Sequence, residues 1–173
     1  MRLLRPALSM LAVSLLAAAS ASAELAPGTP ESVVAAAVDC WQAVNATAVD
    51  EAGLRTKGWA KATIATADRK AVPAAFSIYG KAGSNALLMI APQVDPRGCT
   101  VMSRLGKATD LTATAQLLLR RLEEIDSMVE GKRVSPTEIA YFLLPKAAVM
   151  RPTGSPDKPG TLIQISYTAS EKK

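Results

Sequence analysis

The spacing of apolar residues predicts two amphipathic helices, and the first begins close to Thr29-Pro30-Glu31. This tripeptide offers an N-cap, a proline at the first helical position and an acid in the first turn, which all favour a helix start. We expect the helix to cover about residues 30–46 and to bury one stripe of its surface. The stripe is formed by Val34, Ala37 or Val38, Trp41 and Val44.

The second predicted helix has the most regular apolar spacing in the chain. Thr109 or Asp110 is placed to cap its start, and Gly131 is placed to end it. Because its apolar stripe covers less than three heptads, we expect it to pack on a sheet rather than to form a long coiled coil. The stripe consists of Leu111, Ala115, Leu118, Leu122, Ile125 and Val129.

Between the two helices the pattern changes to that of β-strands separated by residues that favour turns. The short connections favour antiparallel pairing of neighbouring strands. The four predicted strands lie near residues 59–67, 74–80, 85–91 and 98–105.

Alternation along the second of these strands predicts which side chains enter the core. Phe76 and Ile78 are expected to face the core. Ser77 and Tyr79 then face the other way. In the fourth strand, we expect Cys99 to face the core together with Val101 two residues later.

The third predicted strand is apolar on both of its faces over residues 86–91. This pattern is typical of a central strand that is covered on both sides. It is equally consistent with a sheet whose second face meets a partner.

Two further segments are less regular. Residues 47–58 are polar and indicate a loop, in which Leu54 is the expected anchor. After the second helix, Ser135-Pro136-Thr137-Glu138 has the spacing of a capping box, whereas Tyr141-Phe142-Leu143-Leu144 favours a strand. The balance slightly favours a short helix that ends before Pro145.

The C-terminal part of the chain is expected to form a hairpin of residues 147–151 and 161–168, with an exposed, mobile loop at 152–160. Ile163, Ile165 and Tyr167 would lie on one face of it. The order of elements predicts an α+β domain in which a mainly antiparallel, twisted sheet carries the two amphipathic helices on one face.

The first residues have the three parts of a secretory signal peptide. Arg2 and Arg5 give a positive start, residues 7–19 are apolar, and Ala21-Ser22-Ala23 is a small-residue cleavage pattern. Cleavage after Ala23 leaves a single domain, residues 24–173, in the periplasm or outside the cell. An uncleaved anchor is less favoured because the apolar stretch is shorter than the ~20 residues that span a bilayer. No later segment is long and apolar enough to be a membrane span.

The chain has two cysteines, Cys40 and Cys99. In an exported protein, an even number of cysteines favours a disulfide. Closing a loop of about 60 residues would stabilise the fold by about 4 kcal/mol. The alternative is two buried free thiols that act as small core residues.

Composition excludes several kinds of chemistry. The chain has no histidine, so it has no Ser-His-Asp triad, no Cys-His dyad and no imidazole-ligated metal. Two cysteines are too few for a thiolate zinc site, and we expect no cofactor. The acidic residues that cluster in sequence are expected to remain solvated on the outer face of the second helix. They are Glu123, Glu124, Asp126 and Glu130.

The net charge of the full chain is +5, and basic residues are concentrated around the predicted strands. A basic rim of the sheet would favour an envelope protein or an acidic polymer as partner, although ordinary solubilising charge is the simpler interpretation. Nucleic acid is a poor candidate, since the chain is exported and has only seven aromatic residues. The candidate contacts are Lys61, Arg69, Lys70, Lys81, Arg97 and Arg104.

Other motifs have ordinary structural interpretations. Ser155 and Lys158 have the S-x-x-K spacing of serine acyl-enzymes but lie between prolines, which indicates a surface turn. Residues 80–84 contain glycines, a lysine and a serine, and a hairpin turn is expected there, with weak anion binding by Lys81 and the backbone N–H groups as the less favoured alternative. Trp41 and Trp59 are expected in the core rather than as a ligand-stacking pair.

These observations favour a small exported protein that binds or assists another molecule without catalysis. The alternatives are a carrier of a small apolar ligand, or a hydrolase that relies on serine, lysine or carboxylates. A dry cavity would favour the carrier, whereas a pocket with convergent polar groups would favour the enzyme. The expected lining of the carrier's cavity is Leu87, Met89, Leu118 and Leu122.

Overall fold

The computed structural model describes residues 25–62, 75–91, 98–125, 130–135, 138–143 and 145–167, with the side chains of 130–135 and 138–143 excepted. Three helices are described in these segments: α1 (Pro30–Ala43), α2 (Glu51–Thr56) and α3 (Thr109–Ile125). The strands are β1 (Trp59–Ala62), β2 (Ser77–Lys81), β3 (Ala86–Ile90), β4 (Gly98–Arg104), β5 (Glu130–Ser135), β6 (Glu138–Leu143), β7 (Lys146–Ser155) and β8 (Lys158–Tyr167).

The strands form one antiparallel sheet in the order β1-β2-β3-β4-β8-β7-β6-β5. Helix α1 lies on β3, β4 and β8, and α3 packs against α1. The buried side chains of the helices and of one sheet face form a single core. One row of this face runs across five strands through Tyr79, Leu88, Val101, Ile163 and Met150. The predicted α+β class with an antiparallel sheet is confirmed. Helix α1 lies on the sheet as expected, whereas α3 packs chiefly against α1 rather than on the strands.

Helix α1 begins where the sequence predicts. The hydroxyl of Thr29 accepts a hydrogen bond from the backbone N–H of Ser32 at 3.3 Å, and Pro30 opens the first turn. The helix ends at Ala43, a few residues earlier than expected, because Val44 is extended and pairs with Val49 in an isolated bridge.

A disulfide joins α1 to the sheet. Cys40 of α1 is bonded to Cys99 of β4, with a Cα–Cα distance of 5.7 Å. Both cysteines are fully buried. The disulfide prediction is confirmed, including the two elements that it connects.

The predicted orientation of β2 is wrong. Tyr79 is fully buried on the helix side of the sheet, whereas Phe76 is 38% exposed and Ile78 is half-buried. The hydroxyl of Tyr79 donates a hydrogen bond to the carboxylate of Glu51 in α2. One phase contains Phe76 and Ile78 and the other contains Tyr79, so both phases offer large side chains and the pattern alone leaves the phase open. In β4, Cys99 and Val101 are both fully buried, as expected.

The segment predicted as a loop at 47–58 contains the short helix α2. The Asp50 carboxylate caps this helix by accepting a hydrogen bond from the N–H of Gly53 at 2.9 Å. Gly58 follows the helix with a φ of 88°, a conformation that favours glycine. Leu54 is fully buried and anchors the segment as predicted.

The prediction of a short helix before Pro145 is also wrong, because residues 138–143 form the strand β6. This strand pairs with β5 on one side and β7 on the other, so strand propensity together with sheet pairing outweighs the capping signal. Gly131 lies in β5 and does not end the second helix, which is described to Ile125.

The C-terminal hairpin is longer than predicted. Residues 152–155 and 158–160 continue the ladder of β7 and β8, which leaves only Pro156 and Asp157 as the turn. Gly154, with a φ of 77°, adopts the left-handed conformation beside this turn. Residues 152–158 are exposed as predicted, whereas Gly160 is buried and the backbone forms a strand ladder rather than a loop. Ile163 and Ile165 are fully buried on the expected face.

Candidate functional site

An open groove of about 450 Å³ runs between α1 and α3. Its floor is apolar and its rim is charged. The half-exposed side chain of Ile125, 43% accessible, contributes to the α3 wall. The residues that line it are Glu31, Val34, Ala35, Val38, Asp39, Lys81, Leu117, Arg121, Glu124 and Ile125.

A second cavity of about 160 Å³ adjoins the first and shares Ala35, Asp39 and Lys81 with it. It extends past Trp59 to the turn between β2 and β3, residues 82–84. Together the two cavities form one depression across the outward surface of α1. We call this depression, with the lining residues of both cavities, the α1 groove.

Asp39 is the most heavily contacted charge in the α1 groove. One carboxylate oxygen, Oδ1, is 3.0 Å from Nζ of Lys57. The other, Oδ2, accepts a hydrogen bond from Nε1 of Trp59 at 2.9 Å and lies 3.4 Å from Nζ of Lys81. The Lys81 ammonium also lies 5.6 Å from the centre of the Trp59 ring, a cation–π distance. Lys57 donates a further hydrogen bond to the side chain of Gln42.

These contacts keep Asp39 ionised. Burial on its own raises the pKa of this carboxyl, but the hydrogen bonds from Trp59 and Lys57 and the charges of Lys57 and Lys81 outweigh it, and the net pKa is lowered. An ionised carboxylate with three donors is poorly suited to act as a general acid. Since two lysines share one carboxylate, this end of the groove carries a surplus positive charge.

The other end of α1 is negative. Glu31 lies in the first turn, is exposed, and has a pKa lowered by hydrogen bonds from its own backbone N–H and the Thr29 side chain. Among the described residues, no lysine or arginine pairs with it. Across the groove, Arg121 and Glu124 of α3 pair with each other at 2.7 Å and cancel in charge. The groove therefore has opposite charges at its two ends.

Lys146 is half-buried at the opposite end of α1 from Glu31. Its Nζ donates a hydrogen bond to the backbone carbonyl of Trp41 at 2.8 Å. The same Nζ lies 5.7 Å from the centre of the Trp41 indole ring. Burial lowers the pKa of its ammonium group. Because the last turn of α1 contains no basic residue, Lys146 supplies from β7 the positive charge that helix C-termini favour. Its contacts indicate a structural role.

The six basic residues predicted as partner contacts are only partly described. Lys61 is exposed on β1 and shares a sheet face with Lys81, which is engaged with Asp39. Arg104 lies on β4, two strands from Lys81, and alternation places it on the opposite face. The described part of the chain therefore does not bring Arg104 together with the other two. The remaining three, Arg69, Lys70 and Arg97, lie outside the described residues.

The four residues expected to line a carrier's cavity do not meet. Leu118 and Leu122 are fully buried on the helix side. Leu87 and Met89 are half-buried, and they flank Leu88 on the opposite sheet face. That second face is apolar around β3, as predicted, and its Met102 is 41% exposed.

The remaining sequence motifs have ordinary structural roles where they are described. Residues 80–84 contain the end of β2 and the turn that leads to β3, with Gly83 at a φ of 76°. Ser155 and Lys158 flank the exposed turn of the β7–β8 hairpin. Trp41 and Trp59 are each 2% exposed and belong to the core. In the acidic cluster, Glu123 and Glu124 are exposed, Glu130 lies in β5, and Asp126 is outside the described residues.

Sequence reasoning did not single out Asp39 or Arg121 as groove residues. Asp39 follows Val38 on the polar edge of α1, a position that by itself indicates solvation. Its partners Lys57 and Lys81 are 18 and 42 positions away, so only the fold brings the three together. Within the described residues, no cluster of acidic or cysteine side chains is suited to hold a metal ion. No helix among them is long and apolar enough to span a bilayer.

Comparison with known protein families, curated proteins and solved structures gives no match.

Proposed function

We propose that this chain is an exported binding or accessory protein that uses the α1 groove to hold the apolar part of another molecule. The observation that carries the proposal is the groove itself, with an apolar floor between charged ends. Its volume of about 450 Å³ lies within the range of ~300–1,000 Å³ that is typical of ligand sites.

The charged groups of the groove favour binding over catalysis. Asp39 is held ionised by its donors, and Glu124 is paired with Arg121. A hydrolase without histidine needs a serine, lysine or carboxyl group that a neighbouring side chain activates as a nucleophile or general base. Ser32 and Ser84 line the smaller cavity, but their hydroxyls contact backbone groups of Thr29 and Ala86. This arrangement gives the enzyme alternative no support.

The exported location is part of the proposal. The leader pattern of residues 1–23 favours it, and the buried disulfide is the kind of crosslink that persists in an oxidising compartment. The partner would accordingly be a molecule of the cell envelope or the exterior. Binding of an acidic polymer by Lys61 and Lys81 at the β1–β2 edge would also be a binding role without catalysis.

The experiment is a fluorescence titration of the mature chain with Nile red, a neutral apolar dye. Ala35 is exposed on the groove floor, so Ala35→Arg fills the groove without entering the core. Ala113→Arg is the matched control, because Ala113 is exposed on α3 and does not line the groove. We expect saturable binding to the wild type and the control and at least tenfold weaker binding to Ala35→Arg. Equal binding to all three proteins, or no saturable binding to the wild type, would overturn the proposal.

A further inference from the structure

The two ends of the α1 groove differ in charge, and their separation suits a particular class of ligand. Glu31 and Asp39 are eight positions apart on α1, which places them about 12 Å apart along the helix axis. We propose that the groove binds a short, extended apolar peptide of about four residues, with its amino terminus at Glu31 and its carboxylate at Lys81. This inference rests on the proposed function and names the ligand class for the same groove.

The length follows from chain geometry. An extended peptide advances about 3.3 Å per residue, so four residues reach about 13 Å from the ammonium group to the carboxylate. A dipeptide is too short to contact both ends of the groove. A much longer peptide would carry its terminal charge beyond Glu31 or Lys81.

Lys81 is the group best placed to receive the carboxylate. It lines both cavities, and its side chain is 37% accessible. Its Nζ is 3.4 Å from Asp39, whereas Lys57 lies closer to the same carboxylate at 3.0 Å. Asp39 also keeps the Trp59 hydrogen bond, so Lys81 can engage a second carboxylate while Asp39 retains two donors.

Glu31 offers the complementary charge for the amino terminus. Its carboxylate is exposed, and no described basic side chain competes for it. Between the two ends, the groove presents Val34, Ala35, Val38 and Leu117. The small Ala35 side chain leaves room at the middle of the floor for an apolar side chain. A fatty acid would use Lys81 and the floor but would leave Glu31 without a partner.

The test is isothermal titration calorimetry of the mature chain with the tetrapeptide Leu-Ala-Leu-Ala in three forms. One form has free termini, one is N-acetylated and one is C-amidated. For the free peptide, we expect Lys81→Met and Glu31→Gln each to weaken binding about 1.5- to fivefold, the range for partly exposed ion pairs. Lys107→Met and Glu123→Gln are matched controls at exposed positions outside the groove lining and should leave the affinity unchanged.

The modified peptides test the orientation independently of any effect of the substitutions on the fold. Lys81→Met should have no further effect on the amidated peptide, and Glu31→Gln none on the acetylated one. If each substitution weakens all three forms equally, the end-specific contacts are refuted. Dodecanoate that binds through Lys81, together with no binding of the tetrapeptide, would overturn the peptide inference in favour of an amphiphile.

The Nile red titration distinguishes failure of the peptide inference from failure of the proposed function. If the dye distinguishes Ala35→Arg from Ala113→Arg but the tetrapeptide does not bind, the ligand class is wrong and the proposed function stands. If the dye makes no distinction between these variants, the groove is not a binding site and both fail.

Discussion

Loss of the Cys40–Cys99 disulfide should lower stability by an amount that follows from the length of the loop it closes. The two cysteines are 59 positions apart. For a loop of this length, the chain-entropy model gives about 4 kcal/mol at 25 °C. For a domain of this size, 1 kcal/mol shifts the melting temperature by about 2–4 °C, so the loss is about 8–16 °C.

The assay is thermal unfolding followed by circular dichroism, for residues 24–173 of the wild type and of the Cys40→Ala/Cys99→Ala variant. Without reductant, the wild type should melt about 8–16 °C above the variant. A reductant should lower the wild-type melting temperature and leave that of the variant unchanged, which controls for other effects of the reductant. Melting temperatures that agree within about 2 °C without reductant would refute the crosslink argument.

Three further predictions concern titratable groups that hold α1 and its neighbours. Burial and the contact with Glu51 raise the pKa of Tyr79 to about 12, so the folded state keeps this proton longer than the unfolded state does. Stability should therefore fall by up to about 3 kcal/mol between pH 10 and 12, and Tyr79→Phe should remove a tyrosinate absorbance step near pH 12. The lowered pKa of Asp39 stabilises the folded state above the unfolded-state pKa, and this contribution is lost as the pH falls through the lower folded value. Asp39→Asn should thus cost about 1–3 kcal/mol in urea unfolding at pH 7, and the cost should shrink in acid; an equal cost at both pH values would contradict the assignment. Lys146→Met removes the hydrogen bond to the end of α1 and should cost about 1 kcal/mol, while Lys61→Met, at an exposed site, should cost less than about 0.5 kcal/mol.

The elements with long, regular patterns were predictable from the sequence. Helix α1 has a cap and a proline at its start and an apolar stripe along its length. Helix α3 has the most regular spacing of apolar residues in the chain. The disulfide followed from the number of cysteines and the predicted leader, and its place in the fold followed from which predicted elements held Cys40 and Cys99. In each case several local signals agreed with the global fold.

The errors arose where two local signals competed or where burial depends on distant residues. Around Glu138, a capping box competed with strand-forming residues, and the pairing of β6 with both neighbours decided the outcome. The phase of β2 depends on Tyr79 reaching Glu51, which is 28 positions away. The polar segment that contains α2 is short, and its glycines Gly53 and Gly58 indicate a loop although Asp50 caps a helix there.

The α1 groove was not predictable for a related reason. A groove is the space that remains between packed elements, and its walls come from α1, α3 and the β2–β3 turn. The charges that define its ends are ordinary surface residues in the sequence. Only the packing of α3 beside α1, together with the arrival of Lys81 at Asp39, makes them a candidate site.

The contacts that fix α1 on the sheet also affect how strongly the α1 groove would bind a ligand. The disulfide ties Cys40 to the sheet, Trp59 holds Asp39, and Lys146 holds the carbonyl of Trp41 near the end of the helix. At the other end, Gly28 pairs with Leu105 next to the helix start. The floor of the groove therefore lies on a helix fixed at both ends before any ligand arrives. A fixed surface loses little conformational entropy on binding, so a small ligand with few contacts is still able to bind measurably. Reduction of the disulfide should accordingly weaken Nile red binding in the wild type even below the melting temperature, where the rest of the fold persists.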